Sequence, residues 1–217
     1  MNNEFTFTDS VGQKQTVAIP SSLLITALGQ LNDVEQAVTM DLKSAGNVLL
    51  LVGVTANELG GSHFALVNGL EGGAVPRLDL ELAPRIFGVI HEAIRNGLIR
   101  SCHDLSEGGL AAAVAEMAFA GGLGLSLNLQ VLATANSLND DVALLFAESN
   151  SRFVIEVPAE SQAAVESLCC AVNVPITKLG EVTSTDRLVI QGANGAVVID
   201  SALSDLKQCW QKPLAWN

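Results

Sequence analysis

The residues best suited to chemistry lie in one segment, where a short apolar stretch stops, polar residues cross a turn and an alanine-rich helix begins. The segment reads Arg100-Ser101-Cys102-His103-Asp104-Leu105-Ser106-Glu107-Gly108-Gly109-Leu110. Backbone N–H groups at the start of such a helix are free to point outward, and Gly108 and Gly109 would let a ligand approach the backbone closely. The pattern predicts an anion site, in which Ser106 either donates a hydrogen bond to a phosphate or caps the helix.

Asp104 adds a carboxylate to this turn, and a carboxylate beside a phosphate is repelled unless a cation lies between them. Mg²⁺ binds one or two carboxylates together with substrate phosphates, so Asp104 is the candidate metal ligand. The alternative is structural, with Asp104 and Ser106 only capping the helix. The sequence alone leaves both interpretations open.

Other polar groups could complete a site. No cysteine or serine is visibly arranged as a nucleophile beside His103, so we expect a structural role for it and assign no catalytic residue. Glu116 is the lone charge on the apolar helix that follows. It is either a ligand or a side chain that reaches the surface, and we expect the second. Glu148 and Ser149, between a predicted helix and a predicted strand, are candidate ligands for a sugar or ribose phosphate. A solvated turn is the alternative for that segment.

The elements that position these groups follow from the hydrophobic pattern and its punctuation. Hairpins are predicted at both ends, from residues 4–8 with 15–19 and from 187–190 with 196–199. Further strands are predicted at 23–31, 47–55, 100–103, 123–129, 152–157 and 176–182, helices at 84–96, 106–120, 140–147, 159–172 and 203–211, and linkers at 68–75 and 132–139. Helices interleaved with strands predict an α/β or α+β fold, with a mixed sheet covered by helices.

Composition excludes several classes of protein. Among 217 residues, 23 are acidic and 11 basic, and the net charge of −12 repels nucleic acid and anionic membranes. No export signal and no apolar run of roughly 18 residues is present, so we expect a cytoplasmic protein. The four cysteines lack metal-ligand spacing and are expected to be reduced core thiols. An apolar share of 49% indicates either a surface covered by another domain or simply an alanine- and leucine-rich protein.

Several stretches together resemble one family, the C-terminal domain of the aminoimidazole ribonucleotide synthetase superfamily, in the form found in formylglycinamidine ribonucleotide synthases. The histidine-aspartate turn with its double glycine is the most specific of them. The matching stretches are Ile19-Pro20, Leu23 to Gly29, Asp33-Val34 through Asp41-Leu42-Lys43 with Gly46-Asn47, Glu58-Leu59-Gly60-Gly61-Ser62, His103 to Leu110, Ala115-Glu116-Met117-Ala118 and Gly180-Glu181-Val182.

The resemblance implies a three-layer domain of an ATP-dependent ligase of purine biosynthesis, which converts an amide to an amidine with ammonia derived from glutamine. It implies that Asp104 binds Mg²⁺ and that Ser106, with Gly108 and Gly109, contacts ATP or ADP. The family's first-half domain has glutamate-serine-glutamine where this chain has Glu148-Ser149-Asn150. There the motif binds the ribonucleotide, and the shorter asparagine leaves Glu148 and Ser149 as the weaker candidates.

The resemblance also implies a domain plan. Residues 1–20 would be a hairpin linker from the junction with an N-terminal ATP-side domain that the chain lacks, and residues 21–217 the domain itself. Alone, such a fragment is expected to be catalytically silent. Its expected partners are the missing domain and a glutaminase subunit or domain. A homodimer is compatible with the resemblance, whereas nucleic acid and membranes are not expected partners.

Two other interpretations stay open. Another superfamily member, of the selenophosphate synthetase or thiamine phosphate kinase type, would keep the fold and change the substrate, although the glycine and cysteine signatures of those families are not evident. A non-catalytic module would instead use its apolar face to bind a partner. The length of the native gene distinguishes the ligase from the module.

Overall fold

The computed structural model describes residues 4–18 and 24–214. The chain divides into two compact units, residues 1–34 and 35–217, a division that falls later than the predicted one after residue 20. The first unit contains an antiparallel hairpin of β1 (Glu4–Thr8) and β2 (Lys14–Ala18). At its turn the carboxylate of Asp9 accepts hydrogen bonds from the backbone N–H groups of Val11 and Gln13, at 3.0 and 2.9 Å. The predicted opening hairpin is therefore confirmed.

The predicted strand at 23–31 is wrong over residues 24–31. These residues form neither strand nor helix, and the side chain of Leu28 is 99% exposed. Hydrophobicity alone cannot distinguish a buried strand from an apolar segment without a sheet partner. Residues 19–23, which include the end of the predicted hairpin, lie outside the described residues.

The second unit contains a seven-stranded mixed sheet. Its strands are β3 (Val48–Val52), β4 (Ser101–Asp104), β5 (Gly124–Asn128), β6 (Phe153–Val157), β7 (Ile176–Thr183), β8 (Arg187–Gln191) and β9 (Val197–Ala202). The spatial order is β4-β6-β3-β7-β5-β8-β9. Neighbouring strands are antiparallel except β5 and β8, which are parallel. The predicted closing hairpin and the mixed sheet are confirmed.

Helices cover both faces of this sheet. They are α1 (His63–Val67), α2 (Leu82–Arg95), α3 (Gly109–Gly121), α4 (Gln130–Asn136), α5 (Asp141–Phe146), α6 (Gln162–Ala171) and α7 (Leu203–Gln211), with 3-10 turns at Val34–Gln36, Ala159–Ser161 and Lys212–Leu214. All five residues of β3 are buried, as expected of a strand covered on both faces. Leu49 and Leu51 join a hydrophobic cluster with α3, whereas Leu50 joins a second cluster with α2 and α6. The predicted three-layer fold is confirmed.

Some predictions about elements and thiols need correction. The predicted linker at 132–139 is largely α4, and the helix predicted from Ser106 begins at Gly109. All four cysteines are free, but Cys170 and Cys209 are exposed, so the expectation that all of them are core thiols is wrong for these two. Within the described ranges, no helix is long and apolar enough to cross a membrane.

Candidate functional site

Strand β4, at one edge of the sheet, ends at Asp104 and so presents this carboxylate at the start of the turn. The side chain of Asp104 is 60% exposed. Its Oδ2 atom accepts a short hydrogen bond from the Ser106 hydroxyl. That bond, more than the nearby His103, holds the pKa of Asp104 below its ordinary value. Asp104 is therefore an accessible, ionised carboxylate at neutral pH.

The capping alternative for this turn is wrong. Gly108 is the N-cap of α3, and the cap has no side-chain hydrogen bond. Ser106 instead donates its hydroxyl hydrogen to Asp104, and its carbonyl oxygen accepts from the N–H of Gly109 at 3.1 Å. The two polar side chains thus hydrogen bond to each other, and neither caps the N-terminus of α3.

Gly108 and Gly109 allow the backbone conformation of the turn. Gly108 and Gly109 have φ values of +80° and +63°, which favour glycine. A Cβ atom on Gly109 would lie 2.6 Å from the carbonyl oxygen of Ala147, so the chain itself makes the close approach here. The Gly108 N–H donates to Glu148 Oε1 at 2.9 Å, and the Gly109 N–H is taken by the Ser106 carbonyl. The expectation that these two N–H groups are free is wrong.

Glu148 joins two turns that are distant in sequence. Its Oε1 atom accepts from the backbone N–H of Gly108 and from that of His63 at 2.8 Å, and lies 3.3 Å from Nδ1 of His63. The side chain is only 16% exposed. Ser149 is buried, and its hydroxyl oxygen accepts from the backbone N–H of Ala56 at 3.1 Å. The solvated-turn alternative is wrong for these two residues, which bind loops of the protein.

Arg152 connects several segments of this region through hydrogen bonds, and our site prediction did not include it. Its guanidinium is fully buried and donates to the hydroxyl of Thr55 and to the carbonyl oxygens of Ser149 and Ala147. Burial lowers the pKa of Arg152 to about 10, which leaves it charged at neutral pH. A charged residue at the start of a predicted strand was the one sequence signal that could have marked it.

The two predicted motifs meet in one cleft of about 460 Å³. Asp104, Ser106 and Glu148 line it, whereas Gly108, Gly109 and Ser149 line neighbouring depressions. The complete lining is Pro76, Phe87, Asp104, Leu105, Ser106, Glu107, Glu148, Asn150, Ser151, Arg152 and Phe153. Carboxylates, a hydroxyl and two aromatic rings therefore share this cleft, with Phe153 opposite Asp104 on the neighbouring strand.

The fit of a magnesium ion depends on Asp104 alone. Across residues 4–18 and 24–214, no group of three or more His, Cys, Asp or Glu side chains is arranged to hold a metal ion. Mg²⁺ keeps several waters and accepts one carboxylate when phosphate oxygens supply further ligands. An exposed Asp104 beside Ser106 fits this arrangement, but only together with a phosphate-bearing ligand.

His103 and Glu116 lie beside the turn and contact each other. His103 Nε2 lies 2.9 Å from Glu116 Oε2, and the side chain of Glu116 is 30% exposed. Glu116 reaches the surface in part, as expected, and it also pairs with His103 and accepts a hydrogen bond from Trp210. The structural role expected for His103 agrees with these contacts.

Comparison with known proteins decides the family. Residues 44–193 match the family model described as AIR synthase related protein, C-terminal domain. The chain belongs to this family. Among curated relatives, the phosphoribosylformylglycinamidine synthase subunit PurL of Alkaliphilus metalliredigens is 34% identical over 203 residues, and that of Deinococcus radiodurans is 38% identical over 204. These alignments cover 93% and 91% of this chain but 26% of each relative, so the chain spans about a quarter of their length.

Solved structures support the AIR synthase related fold. Thermotoga maritima PurL complexed with FGAR aligns with a TM-score of 0.69 and 18% identity, over 80% of this chain and 30% of that one. T. maritima PurL complexed with ATP gives 0.65 and 17%, over 80% and 27%. The hydrogenase maturation protein HypE in complex with ATP gives 0.54 and 17%, over 78% and 54%. At these identities the likeness shows the fold alone.

Proposed function

We propose that this chain is a domain of a phosphoribosylformylglycinamidine synthase and that its β4–α3 turn contributes Asp104 and Ser106 to a composite magnesium and nucleotide site. The observation that carries the proposal is the placement of an exposed carboxylate and a hydroxyl, already hydrogen bonded to each other, in the lining of a cleft of about 460 Å³. The curated relatives that carry this name support the choice of enzyme.

The proposed chemistry is ATP-dependent formation of an amidine from an amide, with ammonia derived from glutamine. In a phosphoryl-transfer site Mg²⁺ supplies neutralisation of phosphate charge. Asp104 would hold that ion. Ser106, whose single hydroxyl hydrogen is donated to Asp104 in the structure, would turn it to a phosphate oxygen once the ion binds the carboxylate. Three carboxylates line the cleft, those of Asp104, Glu107 and Glu148, against the single guanidinium of Arg152. The lining is therefore net negative, and a bare phosphate would need a cation to bind there.

The glycines and the second motif have secondary roles in this proposal. Gly108 and Gly109 shape the turn, and a phosphate could reach the N–H of Gly108 only by displacing the carboxylate of Glu148. Glu148 and Ser149 remain the weaker candidates for substrate contact because both already bind the protein's own loops. We therefore assign the turn to an auxiliary nucleotide site, holding ATP or ADP, and not to the ribonucleotide site.

In this proposal the chain supplies only part of the nucleotide site. The unit of residues 35–217 is the domain, which works in the cytoplasm beside an N-terminal ATP-side domain and a glutaminase subunit or domain. The remaining nucleotide ligands lie on that ATP-side domain. The isolated chain is accordingly inactive as a ligase.

Calorimetric titration of the chain with ADP, with and without Mg²⁺, tests the site. We expect weak binding or none, and any heat that is detected should require Mg²⁺ and be lost in Asp104→Ala and in Ser106→Ala. Glu160→Ala is the control, because it removes an exposed carboxylate that does not line the cleft. Tight binding that survives both Asp104→Ala and Ser106→Ala contradicts the assignment.

A further inference from the structure

A continuous line of polar contacts runs from the site to the last helix. His103 Nδ1 lies 3.4 Å from Asp104 Oδ1, and His103 Nε2 lies 2.9 Å from Glu116 Oε2. The other oxygen of Glu116, Oε1, accepts a hydrogen bond from Trp210 Nε1 at 3.1 Å. The line thus joins β4, α3 and α7 through four side chains, each from a different part of the sequence except the neighbours His103 and Asp104.

Geometry leaves little freedom along this line. Both ring nitrogens of His103 have carboxylate partners, and its side chain is only 18% exposed. Both oxygens of Glu116 are engaged, and the ring of Trp210 packs against Phe119, with centroids 5.7 Å apart. At the other end, one oxygen of Asp104 lies 3.4 Å from His103 and the other accepts a hydrogen bond from Ser106. The carboxylate of Asp104 is therefore oriented before any ligand arrives.

We infer that His103 and Glu116 are positioning residues for Asp104 and that through them the state of Asp104 changes the environment of the Trp210 indole. Hydrogen-bonded partners behind a metal ligand fix its orientation and raise its affinity for the ion. The positioning of Asp104 for a cation rests on the proposed function, whereas the coupling between Asp104 and Trp210 does not.

Asp104 and Glu116 lie on elements that differ in how firmly they are packed, and the contacts through His103 connect the two. Asp104 lies on an edge strand and its side chain is mostly exposed, so the strand alone leaves the carboxylate free to rotate. Glu116 lies in the middle of α3, which packs against the sheet through buried residues such as Val114 and Met117. His103, which Glu116 of that helix holds in place, restricts the rotation of the Asp104 carboxylate.

The indole N–H resonance of Trp210 in a ¹H–¹⁵N spectrum measures the coupling directly. The chain has two tryptophans, so Trp216→Phe leaves Trp210 as the single indole signal. In that background we expect Asp104→Asn to move the Trp210 resonance, although Asp104 does not touch Trp210. Glu116→Gln should move it more, because it changes the partner of the indole itself.

The control is Glu107→Gln, which removes the same charge from the same turn at a residue outside the contact line. An unchanged Trp210 signal in Asp104→Asn, or an equal shift in Glu107→Gln, overturns the coupling. Because the side chain of Asp104 is mostly exposed, Asp104→Asn should fold, and His103→Gln provides a second break in the line if it does not.

Adding Mg²⁺ with ADP separates this inference from the proposed function. If both hold, the ligands shift the Trp210 resonance in the otherwise unaltered chain, and His103→Gln reduces the shift. If the mutational coupling is present but Mg²⁺ and ADP shift resonances of other segments and none of the turn, the site assignment fails and the coupling stands. If the ligands perturb the turn and Trp210 responds to neither ligand nor mutation, the positioning inference fails and the site stands.

Discussion

Arg152 is a buried cation whose three direct partners are neutral oxygen atoms. Replacing it with methionine keeps much of the volume but leaves the buried carbonyl oxygens of Ala147 and Ser149 without their donor. We expect Arg152→Met to lower the free energy of unfolding by about 3 kcal/mol, measured by urea denaturation.

Arg187→Ala is the comparison for that measurement. Arg187 pairs with Asp200 at 2.6 Å, but both side chains are about half exposed. Its removal should cost ~1 kcal/mol or less, because exposed ion pairs contribute little. If Arg152→Met and Arg187→Ala lower the free energy of unfolding equally, the hydrogen bonds of the buried Arg152 guanidinium do not stabilise the fold around the cleft.

The four thiols should differ in reactivity. Burial raises the pKa of Cys102 to about 12 and that of Cys169 to about 11, so both stay protonated at pH 8, where the reactive thiolate is needed. Cys170 and Cys209 are exposed. A colorimetric thiol reagent should therefore label these two promptly in the native protein and the other two only after denaturation. Prompt labelling of Cys102 would contradict the burial of its thiol.

Strand β6 carries a carboxylate that fastens the segment before β3. Glu156 is fully buried, and it accepts hydrogen bonds from the backbone N–H groups of Lys43 and Ser44, from Asn47 Nδ2 and from the Ser101 hydroxyl. Glu156→Gln would turn an amide NH₂ toward those donors. We expect a loss of about 2 kcal/mol in unfolding free energy and faster hydrogen exchange at Lys43 and Ser44.

Glu160→Gln is the matched control for Glu156→Gln, since Glu160 is exposed on the turn just after β6. It should leave stability and exchange unchanged. If the two variants exchange alike at Lys43 and Ser44, the fastening role of Glu156 is refuted.

Elements with a strong periodic pattern could be predicted, and short or polar ones could not. Ile86, Ile90 and Ile94 recur every fourth residue and marked α2 because one helix face packs on the sheet. Helix α4 was missed because it is only seven residues long and lies in a segment rich in asparagine and serine. The segment 24–31 failed for the opposite reason, being apolar without a sheet partner in the described structure.

The site was predicted in two pieces that the sequence could not join. The turn at Asp104 followed from local chemistry, because a strand end, a hydroxyl and two glycines are close in sequence. The clamp between Glu148 and the N–H of Gly108 spans 40 residues, and it arises only when α5 packs beside α3. Contacts of this kind are set by tertiary packing, which a single sequence does not reveal.

At the scale of the whole molecule, the sheet and both hydrophobic clusters are built from residues 42–203. The hairpin of β1 and β2 belongs to the other unit. We therefore expect removal of residues 1–34 to leave the cooperative thermal transition of the larger unit within a few degrees of its original midpoint, about the shift that ~1 kcal/mol produces. Circular dichroism melting measures this. A non-cooperative transition would show that the first unit is required for folding.

The central claim is that Asp104 and Ser106 hold a divalent cation and a nucleotide phosphate. Paramagnetic broadening by Mn²⁺, added with ADP to the ¹⁵N-labelled chain, locates the ion even when binding is weak. The amide resonances of Leu105 and Ser106, and of Phe153, which is paired with Asp104 on the neighbouring strand, should broaden first, and Asp104→Asn should abolish the effect. Broadening that persists in Asp104→Asn, or that centres on the neighbouring depression lined by Glu58 and Asp79, would contradict the account.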